Sequence, residues 1–173
     1  MGLPFEIVYT NVNETYPDHL SPVQIAEHLS QLKLLPVNFS EYSNNSIFIS
    51  CDTLVILEGK ILEKPKTQIE AVAMLHQLSG KTHQVISGIT VASAQKRITR
   101  HSVTEVTFKQ LSKNEIQYYV EYYKPYDKAG GYGIQEWIGL IGVVSLHGCY
   151  YNVMGLPTQL LAEILTQNFD IHI

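Results

Sequence analysis

An α/β fold, with a mixed, twisted sheet and helices packed around it, is what this sequence predicts. Three observations carry that expectation. Four stretches with apolar residues at helical spacing each follow a recognisable start signal. Runs rich in Val, Ile, Thr and Tyr lie between them, and the two kinds of element alternate along the chain. The 173 residues are 45% hydrophobic and 16% charged, a length and balance that allow a substantial core. No repeat, low-complexity tract or clear boundary divides the chain, so one domain over residues 1–173 is expected.

The first strand-like run is Phe5 to Tyr9. Ser21-Pro22 then offers an N-cap and an N1 proline ahead of Val23, Ile25, Ala26, Leu29 and Leu32. Asn38 to Ser46 reads as a loop, and Ile47 to Leu57 as a buried strand. Thr67-Gln-Ile-Glu70 has the form of a capping box, and Gly80 ends the helix that follows it. The runs Gln84 to Ala92 and Ile98 to Phe108, joined by polar residues, read as an antiparallel hairpin. Ser112-Lys-Asn-Glu115 is a second capping box, its helix stopped by Pro125; Ile138 to Tyr150 reads as strand, and a last helix begins near Pro157.

Composition also excludes functions. A net charge of -4 argues against a general nucleic-acid binder, which needs a basic footprint. No stretch approaches a membrane span and no signal pattern opens the chain, so a cytoplasmic protein is expected. Cys51 and Cys149 are too few for a disulfide framework and read as reduced core thiols. The seven histidines, among them His76, His83, His101 and His147, lack metal-ligand spacing.

The most informative residue is Asp52, a carboxylate inside the apolar run Ile47 to Leu57. Ionised Asp is rarely buried without a partner, so a metal ion, a lysine or an arginine should meet it; an Asp capping a turn at the strand end is the bland alternative. Glu14 sits where a loop would open over the sheet, or is simply solvated. Lys33 ends the first helix, where a cation complements the dipole. Lys64 is held extended by Pro65 and is able to project toward whatever Asp52 faces. The string Asp127-Lys-Ala-Gly-Gly-Tyr-Gly-Ile-Gln135 is either a plain tight turn or a loop whose amides approach a ligand, with Lys128 adding a charge suited to phosphate.

These segments resemble the Maf family of nucleoside triphosphate pyrophosphatases. The likeness runs through Asn13-Glu14, Leu29 to Lys33, Cys51-Asp52-Thr53, Gly59 to Pro65, Asp127 to Gln135 and Asn152 to Pro157. It implies a two-lobed fold with a central cleft, and hydrolysis of a nucleoside triphosphate between its α and β phosphates with a divalent cation, Mg or Mn. By the resemblance Asp52 is the general base, Glu14 and Asp52 hold the metal, Lys33 and Lys64 face phosphate with Lys128, and Thr53 and Gln135 select the base. The Gly-Lys-Ile-Leu-Glu-Lys-Pro and Gly-Ile-Gln contexts resemble the dTTP/UTP branch more than the 7-methyl-GTP branch. Homodimers are common in the family.

One departure stands out. Family members open with a strand and a Ser-x-Ser-Pro-Arg-Arg loop, roughly 20 to 30 residues of strand, loop and helix, ahead of the point where this sequence starts. The expectation is a chain truncated relative to the family and lacking two arginines suited to clamp a triphosphate. Three readings therefore stand side by side: the dTTP/UTP enzyme, a relative acting on modified nucleotides, and a catalytically impaired binding or regulatory protein.

Overall fold

The computed structural model describes residues 2–172. Met1, at the expected junction with a preceding segment, lies outside them. Helix α1 spans Pro22–Leu32 and starts as expected: Ser21 and Gln24 cap one another, with Pro22 in the first turn. Strand β1, Phe48–Leu57, turns through Glu58-Gly59 into the short β2, Lys60–Leu62. Helix α2, Gln68–Leu78, starts on Thr67, although Glu70 reaches the Lys66 N–H rather than closing the box on Thr67. Strands β3, Thr82–Ala92, and β4, Arg97–Phe108, form the expected hairpin. Helix α3, Lys113–Tyr123, begins with the Ser112/Glu115 box. The chain continues through α4 (Trp137–Gly142), β5 (Val143–His147), α5 (Tyr150–Val153) and α6 (Thr158–Phe169).

The strands lie in the order β2-β1-β3-β4-β5, and every pairing is antiparallel. The α/β class is the expected one, but the pairings are not mixed. Helices between strands usually signal parallel crossovers; here the chain leaves β2 through α2 and crosses to β3 on the far side of β1, which pairs antiparallel with both, and later it passes through α3 and α4 from β4 to its antiparallel neighbour β5.

Two strand expectations fail. Phe5 to Tyr9 forms no strand: among the described residues none pairs with it, and Phe5 and Tyr9 are 83% and 91% exposed. In the run from Ile138 to Tyr150 only Val143–His147 is strand. A continuous apolar run carries no period, and Ile138 is wholly buried as part of a helical turn against the core.

The sheet is covered on both faces. On one, Leu54, Ile56 and Ile86 pack beneath Ile25, Ala26 and Leu29 of α1. On the other, two apolar clusters lie apart: Val55, Leu57, Val85 and Val106 pack with α2 and α3, whereas Ile89 and Val91 pack with α6. Thr53 and Ser87 are directly opposed between those clusters. Among the described residues no helix is long and apolar enough to cross a membrane.

Candidate active site

Asp52 reaches a cavity because β1 is half uncovered. Strand β2 pairs only with Val55, Ile56 and Leu57, so at Asp52 the strand has β3 on one side, through Gly88, and an opening on the other. The Asp52 side chain is 11% exposed, and its partner is a lysine: Lys33 Nζ lies 2.5 Å from Oδ1. Lys33 Nζ also donates to the Cys51 carbonyl at 3.3 Å and lies 3.4 Å from Glu14 Oε1.

Close packing of α1 puts Lys33 there. A Cβ at Gly88 would stand 2.2 Å from the Ala26 carbonyl oxygen, so only glycine lets the helix backbone rest on β3 at that point. Buried hydroxyls of Ser30 and Thr90, 2.8 Å apart, pin the next turn. Lys33 follows at the C-cap, and Thr10 donates to its carbonyl at 3.0 Å, which ties the irregular segment carrying Glu14 to the helix end. Glu14 therefore follows a loop, not a strand.

The electrostatics are those of a triad of alternating sign. Burial pushes Asp52 above the usual carboxylate range; the Lys33 hydrogen bond and charge pull the other way, Glu14 adds to the rise, and Lys64 opposes it. Burial would lower Lys33, but the hydrogen bond and charge of Asp52, followed by Glu14, outweigh it and hold the ammonium above its ordinary value. Lys33 is thus held as an ammonium against the Asp52 carboxyl.

The opposite wall is the glycine-rich turn. Gly130 has φ 71°, and a Cβ there would meet Val55 at 2.9 Å, so the turn presses on β1 directly. Lys128 is held between Asp127 at 2.9 Å and Glu136 at 3.3 Å, and these partners raise it against the lowering effect of burial. Glu136 is fixed in turn by the Tyr119 hydroxyl, which donates to it and accepts from the Gly133 N–H at 3.0 Å. Lys64 and Gln135 complete the lining of this cavity.

Two adjoining cavities, roughly 370 and 610 Å³, share Asp52, Thr53, Lys64 and Ala129. The smaller brings Lys33, Lys128 and Gln135 to them, and the larger brings Glu14. Every residue expected in the site therefore lines one or both of these two cavities. The Cys51 thiol also lines the smaller, and burial pushes that thiol up to about 12, which makes it inert rather than nucleophilic.

Glu14 and Asp52 offer hard carboxylate oxygens that already converge on one cation, the Lys33 ammonium. Among the described residues no third His, Cys, Asp or Glu joins them as a closed metal cage. Such a donor set fits Mg, which is commonly held by one or two carboxylates together with substrate phosphates. Sequence reasoning missed Glu136, Tyr119, Ser87 and Asn152. A signal existed for Ser87, a polar residue in the apolar run Val85 to Val91, the same anomaly that exposes Asp52.

The family model described as Maf-like protein matches residues 1–168. Curated relatives described as dTTP/UTP pyrophosphatase include one from Flavobacterium psychrophilum, 42% identical over 92% of this chain and 81% of its own length. Another, from Christiangramia forsetii, is 44% identical over 96% of this chain and 85% of its own. A third, from Bacteroides fragilis, is 45% identical over 91% and 81% respectively.

Proposed function

This chain belongs to the Maf-like protein family, and we propose that it hydrolyses dTTP and UTP to the nucleoside monophosphate and pyrophosphate. Relatives that carry this activity in their names align over most of the chain. One observation supports the chemistry above the others: a mostly buried Asp52 stands against Lys33 on the wall of a cavity that Lys64 and Lys128 also line.

The geometry suits displacement at the α phosphorus. Asp52 takes a proton from water as the water oxygen bonds to the α phosphorus; the bond from that phosphorus to the αβ bridging oxygen breaks, and pyrophosphate leaves with the electron pair. Lys33, Lys64 and Lys128 face the charge that develops on the phosphate oxygens, which is where preorganised cations act most strongly. Lys33 also orients the Asp52 carboxylate, so the base needs little reorganisation. Glu14 and Asp52 would hold a divalent cation, Mg or Mn, which when bound neutralises phosphate charge and lowers the pKa of water. Thr53 and Gln135 would read the base. A cytoplasmic homodimer is the form this reading carries with it on family grounds, checked by light scattering.

Product analysis tests the proposal. The expected outcome is monophosphate and pyrophosphate in equal amounts, fastest from dTTP and UTP in a panel with CTP, GTP and 7-methyl-GTP. Nucleoside diphosphate and inorganic phosphate as products, or a preference for the methylated purine, would overturn it.

A further inference from the structure

A row of polar groups crosses the sheet between the two apolar clusters and ends at Thr53. Thr104 on β4 accepts from the Cys149 N–H at 3.0 Å and from Asn152 Nδ2 at 3.0 Å, and donates to the Cys149 carbonyl at 3.2 Å. Asn152, wholly buried, donates a second time to the Val85 carbonyl at 3.0 Å. These bonds fix α5, and with it the Asn152 carbonyl. The Ser87 hydroxyl donates to that carbonyl at 3.2 Å and lies 2.7 Å from the Thr53 hydroxyl. Ser87 is wholly buried and does not line the cavity, whereas Thr53 does.

A carbonyl only accepts, and a serine has one proton. With that proton given to Asn152, Ser87 meets Thr53 as an acceptor, and Thr53 turns its own proton inward. Of the alternative acceptors for Thr53, the Gly155 carbonyl is at 3.5 Å, well beyond the 2.7 Å to Ser87, and the Cys51 sulfur is a weak acceptor beside both hydroxyls. Thr53 then shows the cavity lone pairs alone.

We propose that Ser87 is a positioning residue for base selection: it fixes the polarity of the Thr53 hydroxyl so that the site accepts a ring N–H. Uracil and thymine carry that hydrogen at N3. Cytosine has a bare nitrogen there, so its lone pair would face the lone pair of Thr53. Guanine carries a ring N–H and adenine does not, so the relay separates uracil, thymine and guanine from cytosine and adenine, and leaves the rejection of purines to the shape of the cavity. This rests on the reading of Thr53 and Gln135 as base-facing residues.

The test is the ratio of kcat/KM for UTP to that for CTP. Ser87→Ala frees the Thr53 hydroxyl to rotate and donate, so the ratio should fall at least roughly fivefold, the scale of one mismatched polar contact. Ser87→Cys, with a weak donor, should fall between. Thr53→Val should abolish the preference, and wild-type enzyme should discriminate against N3-methyl-UTP by a similar factor to CTP. An unchanged ratio in Ser87→Ala with a native melting transition, or wild-type turnover of N3-methyl-UTP equal to that of UTP, overturns the relay. If Ser87→Ala does not fold, the N3-methyl-UTP result decides alone. Binding of the α,β-imido analogues of UTP and CTP gives the same ratio without turnover, so failure of the relay is distinguished from failure of the pyrophosphatase reading.

Discussion

Lys33 Nζ stands 2.5 Å from Asp52 Oδ1 and 3.4 Å from Glu14 Oε1, so one ammonium holds together two carboxylates from segments 38 residues apart in sequence. The pair sits at the one stretch of β1 that β2 leaves uncovered, where a strand carboxylate is able to reach a ligand.

The pH dependence follows from this triad. As the proposed base Asp52 would act only when ionised, and its pKa lies above the ordinary carboxylate value, first through burial. The acidic limb of kcat/KM, which reports the free enzyme, should therefore lie above the range of an exposed Asp. Glu14 raises Asp52, so Glu14→Gln should move the limb to lower pH; Lys33 lowers it, so Lys33→Met should move it higher. Ionisation of the triphosphate itself is common to all three enzymes and cancels in the comparison. Shifts in the same direction for both variants would contradict the assignment. On stability the sign is the reverse of a paired surface Asp: a raised folded pKa gives stability that is full below the unfolded value and lost as pH rises through the folded one.

Gly88→Ala should displace α1. The added carbon meets the Ala26 carbonyl at 2.2 Å, a backbone atom that has no rotamer to escape by. A loss of about 1–3 kcal/mol in denaturant unfolding is expected from overpacking, with a larger fall in kcat/KM because Lys33 moves off Asp52. A variant that keeps wild-type stability and turnover would show that the contact is not what places Lys33.

Tyr119→Phe should act through Lys128. It removes the hydroxyl that fixes Glu136 and leaves the Gly133 N–H unpaired, at about 1–3 kcal/mol for a buried group. With its counter-charge loosened, Lys128 should bind triphosphate less well, so KM should rise more than kcat falls. A change in kcat alone would place Tyr119 outside this chain of contacts.

Asp52 was legible because it breaks a local rule, a carboxylate in an apolar strand; Lys33 at a helix end and Lys128 among glycines have ordinary local readings, and the resemblance to the family singled them out. What the pattern could not reveal is non-local. Glu136 matters because Tyr119, on another helix, reaches it, and Ser87 because Asn152 arrives from beyond β5. The mixed sheet failed for a similar reason: a helix between strands does not fix which strands pair, and β1 lies between β2 and β3 and is antiparallel to both. Residues 138–142 read as strand because unbroken apolar sequence has no period, and burial of Ile138 settled the matter in three dimensions.

The most direct test is pyrophosphate release from dTTP by the Asp52→Asn variant. The substitution keeps the shape and removes the charge, leaving Lys33 paired with Glu14. Turnover should fall by at least ~100-fold, the loss typical of a missing general base, with a melting temperature close to wild type, because burial already works against the charge. Unchanged pyrophosphate release from a folded Asp52→Asn variant would contradict the assignment of Asp52 as the base.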